Sequence, residues 1–525
     1  MTALQPQPTG RGGHRRWGSG SGSVRPGPRG WPGRGRGRST FVQAAEEWRG
    51  TTVQVCGLWP FAAGTGSPMA GVPFGLNLAS GATVCCDPIS WFASARLISN
   101  PSMFVLAKPG LGKSTAVMRM LLGLAGYGVQ PLVLGDLRPD YVDGIRALGG
   151  QVISLGRDRG SLNILDPGEA TAAAARLTGK ARGEVLADAR TRVAANLSGL
   201  ITIARAAPPS DREETILDRA LRVLADRQSG VPVLADLLQV LRDAPDPVRQ
   251  VALDRGSLDR YRDLTENLEA TLIGLCGGGR FGDLFARPTS VPMRRDRPVV
   301  FDVSSIDDGQ EDLQAAVLLS CWSYGFGAVK VANALADAGL EPRRHYFVVL
   351  DELWRALRAG RGMVDRVDAL TRLNRSLGAG VAMISHTMSD LQALPHEADR
   401  MKARGFVERA GMVLCGGLPA AEMPGLTSAV PLSRTEQQLL ASWTDPPAWD
   451  PDTGHETDPP GRGNFLIKVG GRPGIPVHVE LTRIERDLAL SDTNRLWRGV
   501  SRTSPLSDPL PADPADLDGG GGGAG

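Results

Sequence analysis

An α/β fold built on a mainly parallel sheet is what the 525-residue sequence predicts, and three observations carry the prediction. Short apolar runs recur near 103–107, 131–135, 151–155, 299–303, 346–350, 381–385 and 411–415, most of them separated by stretches of helical character. The first run leads into a glycine-rich turn and a Gly/Pro-free stretch, FVLAKPGLGKSTAVMRM, residues 104–120. The fifth ends on two acids, RRHYFVVLDELWRAL, residues 343–357.

Composition sets the bounds. The chain is 42% hydrophobic, enough for a sizeable core, and its net charge of only +3 excludes a uniformly basic nucleic-acid coat. The six cysteines, at 56, 85, 86, 276, 321 and 415, show no C-x-x-C spacing, so a reduced, cytoplasmic chain is expected before a disulfide scaffold or zinc site. No apolar core follows the N-terminal arginines, and no signal peptide is expected.

In chain order, residues 9–38 carry eight arginines and no acid, and 1–40 is expected as a disordered Arg/Gly-rich tail. A solvated tail accounts for it; its functional alternative is an arm for single-stranded nucleic acid or anionic lipid, with Trp17 and Trp31 to stack. Residues 41–100, with VPFGLNL and GATVCCDP, predict a small N-terminal β region. The first part of the core is assigned to 101–167. Residues 168–290 break the βα alternation with helical segments such as ETILDRALRVLADR and predict an inserted all-α subdomain.

The second part of the core spans 291–500. The apolar stretch Leu313–Val329 follows Glu311 and Asp312 and falls between two strands, which predicts a buried crossover helix; a bilayer span would need about 18 to 20 apolar residues. Any membrane association is therefore expected to be peripheral. Near the end, GNFLIKVGGRPGIPVHVELT alternates on both sides of a Gly/Pro turn, as a C-terminal β-hairpin does, and 501–525 is expected as a flexible tail.

The glycine-rich turn carries the chemistry of a phosphate-binding loop, Ala107, Lys108, Pro109, Gly110, Leu111, Gly112, Lys113 and Ser114. Such a loop aims backbone amides at phosphate oxygens, its lysine reaches the β and γ phosphates, and its hydroxyl meets Mg²⁺. The motif's first glycine is here Ala107, a methyl tolerated if its φ is negative. Asp351, at the carboxyl end of its strand, is expected to join Ser114 in the Mg²⁺ shell, and Glu352 to orient and deprotonate the attacking water. Asp136 and Asp302 also end strands, as nucleotide or DNA contacts or as structural carboxylates. His386, after the strand 381–384, is a candidate γ-phosphate sensor or a structural histidine. Arg375 is the candidate arginine supplied to a neighbouring subunit's site, with Arg372 and Arg404 as rivals.

Taken together, NPSMFVLAKPGLGKST, LVLGDLRPDYVDGIRALGGQVISLG with LNILDP, GGRFGDLFARPTS, FDVSS, FVVLDELWRAL, and GRGNFLIKVGGRPGIPVHVELT with SDTNRLW make the chain resemble the conjugative type IV secretion ATPases, the TraC-like branch of the HerA and FtsK superfamily, from about 82 to 498. The resemblance implies a RecA-like P-loop NTPase that binds ATP and Mg²⁺ between the subunits of a homo-hexamer. It implies partners in a membrane-embedded secretion channel, a place at the inner face of the membrane, and a role in powering pilus or channel assembly and DNA or protein transfer. By position Lys113, Ser114 and Thr115 match the family's phosphate loop, Asp351 and Glu352 its second motif, and Arg375 its arginine-bearing helix. His386 stands where the family commonly has glutamine. With about sixty ordered residues expected ahead of the motor, docking to the channel is expected to be loose or handled by another chain. The alternatives are a DNA-pumping translocase or coupling protein acting on single- or double-stranded DNA, and a nucleotide-binding scaffold with little hydrolysis.

Overall fold

Strand β3, Ser102–Leu106, is buried along its whole length, as are β7, Tyr346–Leu350, and β8, Ala379–Ser385. Continuous apolar runs of this kind suit the middle of a parallel sheet covered on both faces. In the computed structural model the described residues are 68–490 apart from 228–229, 278, 360–361, 372–376, 448, 451–454, 457 and 489. The terminal tails, residues 41–67 with Cys56, the segment SDTNRLW, and both Arg372 and Arg375 lie outside them.

The remaining strands are β1 Pro73–Asn77, β2 Thr83–Cys85, β4 Gln130–Asp136, β5 Gln151–Ser154, β6 Val299–Asp302, β9 Met412–Cys415, β10 Trp449–Asp450, β11 His455–Glu456, β12 Asn464–Lys468 and β13 Ile475–Val479. All but the β10–β11 pair form one eleven-stranded sheet in the order β2-β1-β13-β12-β9-β3-β8-β7-β4-β6-β5. From β9 to β5 every neighbouring pair is parallel, while the hairpin β12–β13, with Phe465 opposite Val477, is antiparallel to β9 and β1. The hairpin thus forms as its alternation predicts. The small β region expected at 41–100 does not stand apart: β1 and β2 extend the main sheet from β13, because Phe74, Gly75 and Asn77 are buried there.

Alternation along the strands sorts the core into two layers. Met103 and Val105 of β3, Val349 of β7 and Ile384 of β8 pack with Ala116, Val117 and Met120 of the helix Lys113–Gly126. Phe104, Leu106, Val348 and Met383 face the other way, in one continuous core with the helices that lie between β5 and β6. Those helices are Ala170–Arg176, Gly179–Arg205, Asp211–Arg227, Leu234–Asp243, Asp246–Ala252 and Leu258–Cys276.

The crossover helix Glu311–Asp337 is apolar on all sides, and 89% of its most apolar window is buried in the protein. Its backbone lies against β4, where a Cβ on Gly325 would come within 2.4 Å of Leu134. Among the described residues it is the one helix long and apolar enough to cross a bilayer.

Candidate active site

At the carboxyl end of β3 the chain turns through two left-handed glycines, Gly110 at φ +82° and Gly112 at φ +93°, and enters the helix Lys113–Gly126. A side chain at either position would strain the turn. Ala107 is buried, and it is absent from the residues of positive φ. Its methyl faces Gly416 after β9, where an added Cβ would come within 2.6 Å of the Ala107 Cβ. The glycine missing from the loop is therefore matched by a glycine across from it.

Lys108, Pro109 and Gly110 are exposed at the loop tip, and the Lys108 amide donates to Gly417 O at 3.1 Å. Lys113 is 9% exposed and donates to Ala107 O at 2.8 Å, across the loop. Burial lowers its pKa, against the attraction of Asp351 and Glu352. Ser114 and Thr115, in the first turn, are half-buried.

Asp351 follows β7. Its Oδ2 accepts from the Tyr141 hydroxyl at 3.1 Å and its Oδ1 from the Glu352 amide at 2.8 Å. Burial, then the charges of Glu352 and Asp140, push its pKa up to about 6. Glu352 sits in the left-handed region, φ +49°, which for a residue with a Cβ costs of order 1 to 3 kcal/mol and clusters at functional sites. Its Oε1 lies 3.2 Å from His386 Nε2 and its Oε2 accepts from Trp354 Nε1. Burial opposes its charge, but His386, Trp354 and Arg355 prevail and its pKa is lowered.

Two residues that sequence reasoning passed over complete the cluster. Asp140 is hydrogen-bonded to Ser114, and burial raises its pKa. Tyr141 ties the cluster together, its amide donating to Asp136 Oδ2 at 2.8 Å and its hydroxyl to Asp351. The visible signal was the D-x-x-x-D spacing of Asp136 and Asp140 after β4. Asp136 itself caps this turn, and Asp302 accepts from Ser304 and Ser154.

Ser114, Asp140 and Asp351 offer an oxygen-only donor set of the kind a hard cation such as Mg²⁺ takes, and the burial and, after it, the like charge that raise both aspartates are what a cation would offset. The chemistry of the residues fits the ion. Two buried polar atoms at the end of β8, Ser385 Oγ and His386 Nδ1, have no hydrogen-bond partner among the described residues. Arg404 is engaged within its own chain by Glu408 at 2.6 Å and by Ser428 O.

No protein-family model and no curated protein matches the sequence. Among solved structures, VirB4 of Thermoanaerobacter pseudethanolicus superposes with a TM-score of 0.58 at 18% identity, over 81% of this chain and 100% of that one. The plasmid coupling protein TrwB, in complex with a non-hydrolysable GTP analogue, matches with a TM-score of 0.45 at 12% identity, over 73% of this chain and 86% of that one. The loop, the strand order and the VirB4 superposition together establish that this chain has the RecA-like P-loop fold of VirB4.

Proposed function

We propose that the chain is an ATP-hydrolysing motor of a conjugative type IV secretion system, energising channel or pilus assembly and the transfer of DNA or protein. The observation that carries this reading is the meeting of Lys113, Ser114, Asp140, Asp351, Glu352 and His386 around one phosphate-binding loop, in a fold shared with VirB4 over 81% of the chain.

In this reading the amides from Lys108 to Ser114 cradle the phosphates, and Lys113 leaves Ala107 O for the β and γ oxygens, exchanging one buried acceptor for a charged one. Ser114 and Asp351 would hold Mg²⁺, with Asp140 hydrogen-bonded to Ser114, and the ion would supply positive charge beside the phosphates. Glu352 orients the water whose oxygen attacks the γ phosphorus as the bond to the β–γ bridging oxygen breaks, and it takes the water's proton. His386 and Ser385 bring their unpartnered atoms to the γ phosphate or its water. Arg375 serves the site of the adjacent subunit in a homo-hexamer, docked peripherally on a membrane-embedded channel. The helices of 168–290 form the subdomain inserted into a core made of 101–167 and 291–500.

Steady-state ATP hydrolysis by wild type and Glu352→Gln, with and without DNA and with mass read by light scattering, tests the reading. Hexamer-dependent turnover that is indifferent to DNA and lost in the variant is expected. Strong stimulation by DNA would replace the secretion motor with a DNA translocase, and turnover no greater than the variant's would leave a nucleotide-binding scaffold.

A further inference from the structure

Trp354 is two residues beyond the proposed base, and its place is unusual for a half-buried tryptophan. Its indole N–H donates to Glu352 Oε2, while the other carboxylate oxygen is held by His386. Two guanidinium groups lie over the ring, Arg355 at 4.8 Å and Arg358 at 4.6 Å from the centroid. Neither arginine is adrift: Arg355 donates to Gln314 Oε1 at 2.6 Å and to Asp308 at 3.1 Å, and Arg358 reaches Asp390 O and Oδ1 at 3.4 Å.

Asp390 in turn closes the capping box of Thr387, the residue after His386. The contacts therefore run in a ring from Glu352 through His386, Thr387, Asp390 and Arg358 to Trp354 and back to Glu352. The ring ties the end of β7 to the end of β8, the two strands that deliver the base and the residue beside it.

We propose that Trp354 is a positioning residue for Glu352: its N–H, steadied by the two stacked arginines, fixes the carboxylate in the one orientation from which the free lone pairs can take the proton of the attacking water. A carboxylate has about four acceptor positions, and the clamp uses one on each oxygen, so room for water remains. The guanidiniums bond elsewhere, Arg355 Nη1 and Nη2 donating to Gln314 and Asp308 and Arg358 Nη2 to Asp390.

The inference rests on Glu352 being the base, and the experiment separates the two claims. Full-length wild type, Glu352→Gln, Trp354→Phe and Arg358→Gln are compared for kcat, KM for ATP and Tm. Trp354→Phe keeps an aromatic ring beside the arginines while removing the N–H donor and part of the indole. It is expected to lower kcat about tenfold or more with KM unchanged and with no more loss of Tm than one hydrogen bond accounts for. Arg358→Gln is expected to give a smaller fall of the same kind. An unchanged or raised kcat in Trp354→Phe, or a fall in kcat that travels with KM or with loss of the folded state, overturns the clamp while Glu352→Gln remains inactive. Wild-type turnover in Glu352→Gln would overturn the assignment of the base.

Discussion

Two lysines are buried among the described residues, and they are partnered in opposite ways. Lys468, at the end of β12, is 2% exposed and has a charged partner, Glu436 at 2.9 Å, together with the carbonyl of Arg472 at 2.7 Å. Glu436 is itself saturated, capping its helix with Ser433 and accepting from Gly474, and these bonds outweigh burial and lower its pKa. Lys113, at the other side of β9 and β3, has one neutral carbonyl, and burial lowers its pKa. The hairpin edge has settled its charges; the loop edge holds them in reserve. A buried cation with only a weak partner costs the fold stability, a cost that a bound phosphate would recover.

The comparison is sharpest in the two alanine substitutions. Lys113→Ala is expected to abolish ATP turnover with little loss of stability, whereas Lys468→Ala removes a buried ion pair together with a buried stem and is expected to cost about 2 to 4 kcal/mol in chemical denaturation. Equal destabilisation by both would break the contrast.

Glu352 gives the next effect. Glu352→Gln is expected to lower turnover by roughly 10² to 10⁴ without loss of fold. Glu352→Gly, which relieves the left-handed backbone at φ +49°, should be inactive but more stable by about 1 kcal/mol in the same denaturation experiment.

The loop's own tolerance can be probed from across the sheet. Gly416→Ala drives a methyl toward the Ala107 Cβ and is expected to cost about 1 to 3 kcal/mol and weaken nucleotide binding. Ala107→Gly in the same chain should restore both, as measured by Tm and nucleotide titration.

The smallest expected effect is a pH dependence of the nucleotide-free protein. Asp351 has its folded pKa raised from 3.8 to about 6, so it favours folding fully below pH ~4, and that favour is lost as pH rises through about 6. Asp351→Asn should flatten the stability profile in that window. At the hairpin the sign is opposite, because the lowered Glu436 favours the fold above its ordinary range and loses that favour in acid.

Much of the candidate site was legible because it is local. Gly110, Gly112, Lys113 and Ser114 are contiguous, and Asp351 and Glu352 end an apolar strand, so spacing alone marked them. Asp140 left only the weak D-x-x-x-D signal with Asp136, and Tyr141 none, since they belong to a Pro-containing turn whose direction no periodicity encodes; Asp136, the more conspicuous acid, proved to be the cap of that turn. His386 could be read as a candidate, but its contact with Glu352 depends on β8 lying beside β7.

The sequence by itself determined which residues are buried in strands and helices, where the phosphate loop turns, and where the final hairpin pairs, because these follow from side-chain periodicity and from the backbone freedom of glycine over a few neighbouring residues. Only the tertiary structure decided that β1 and β2 extend the main sheet, that Gly416 makes room for Ala107, and that Asp140, Glu352 and His386 share one site. Those contacts join residues as far as 309 positions apart, as Ala107 and Gly416 are, and strand order alone brings them together.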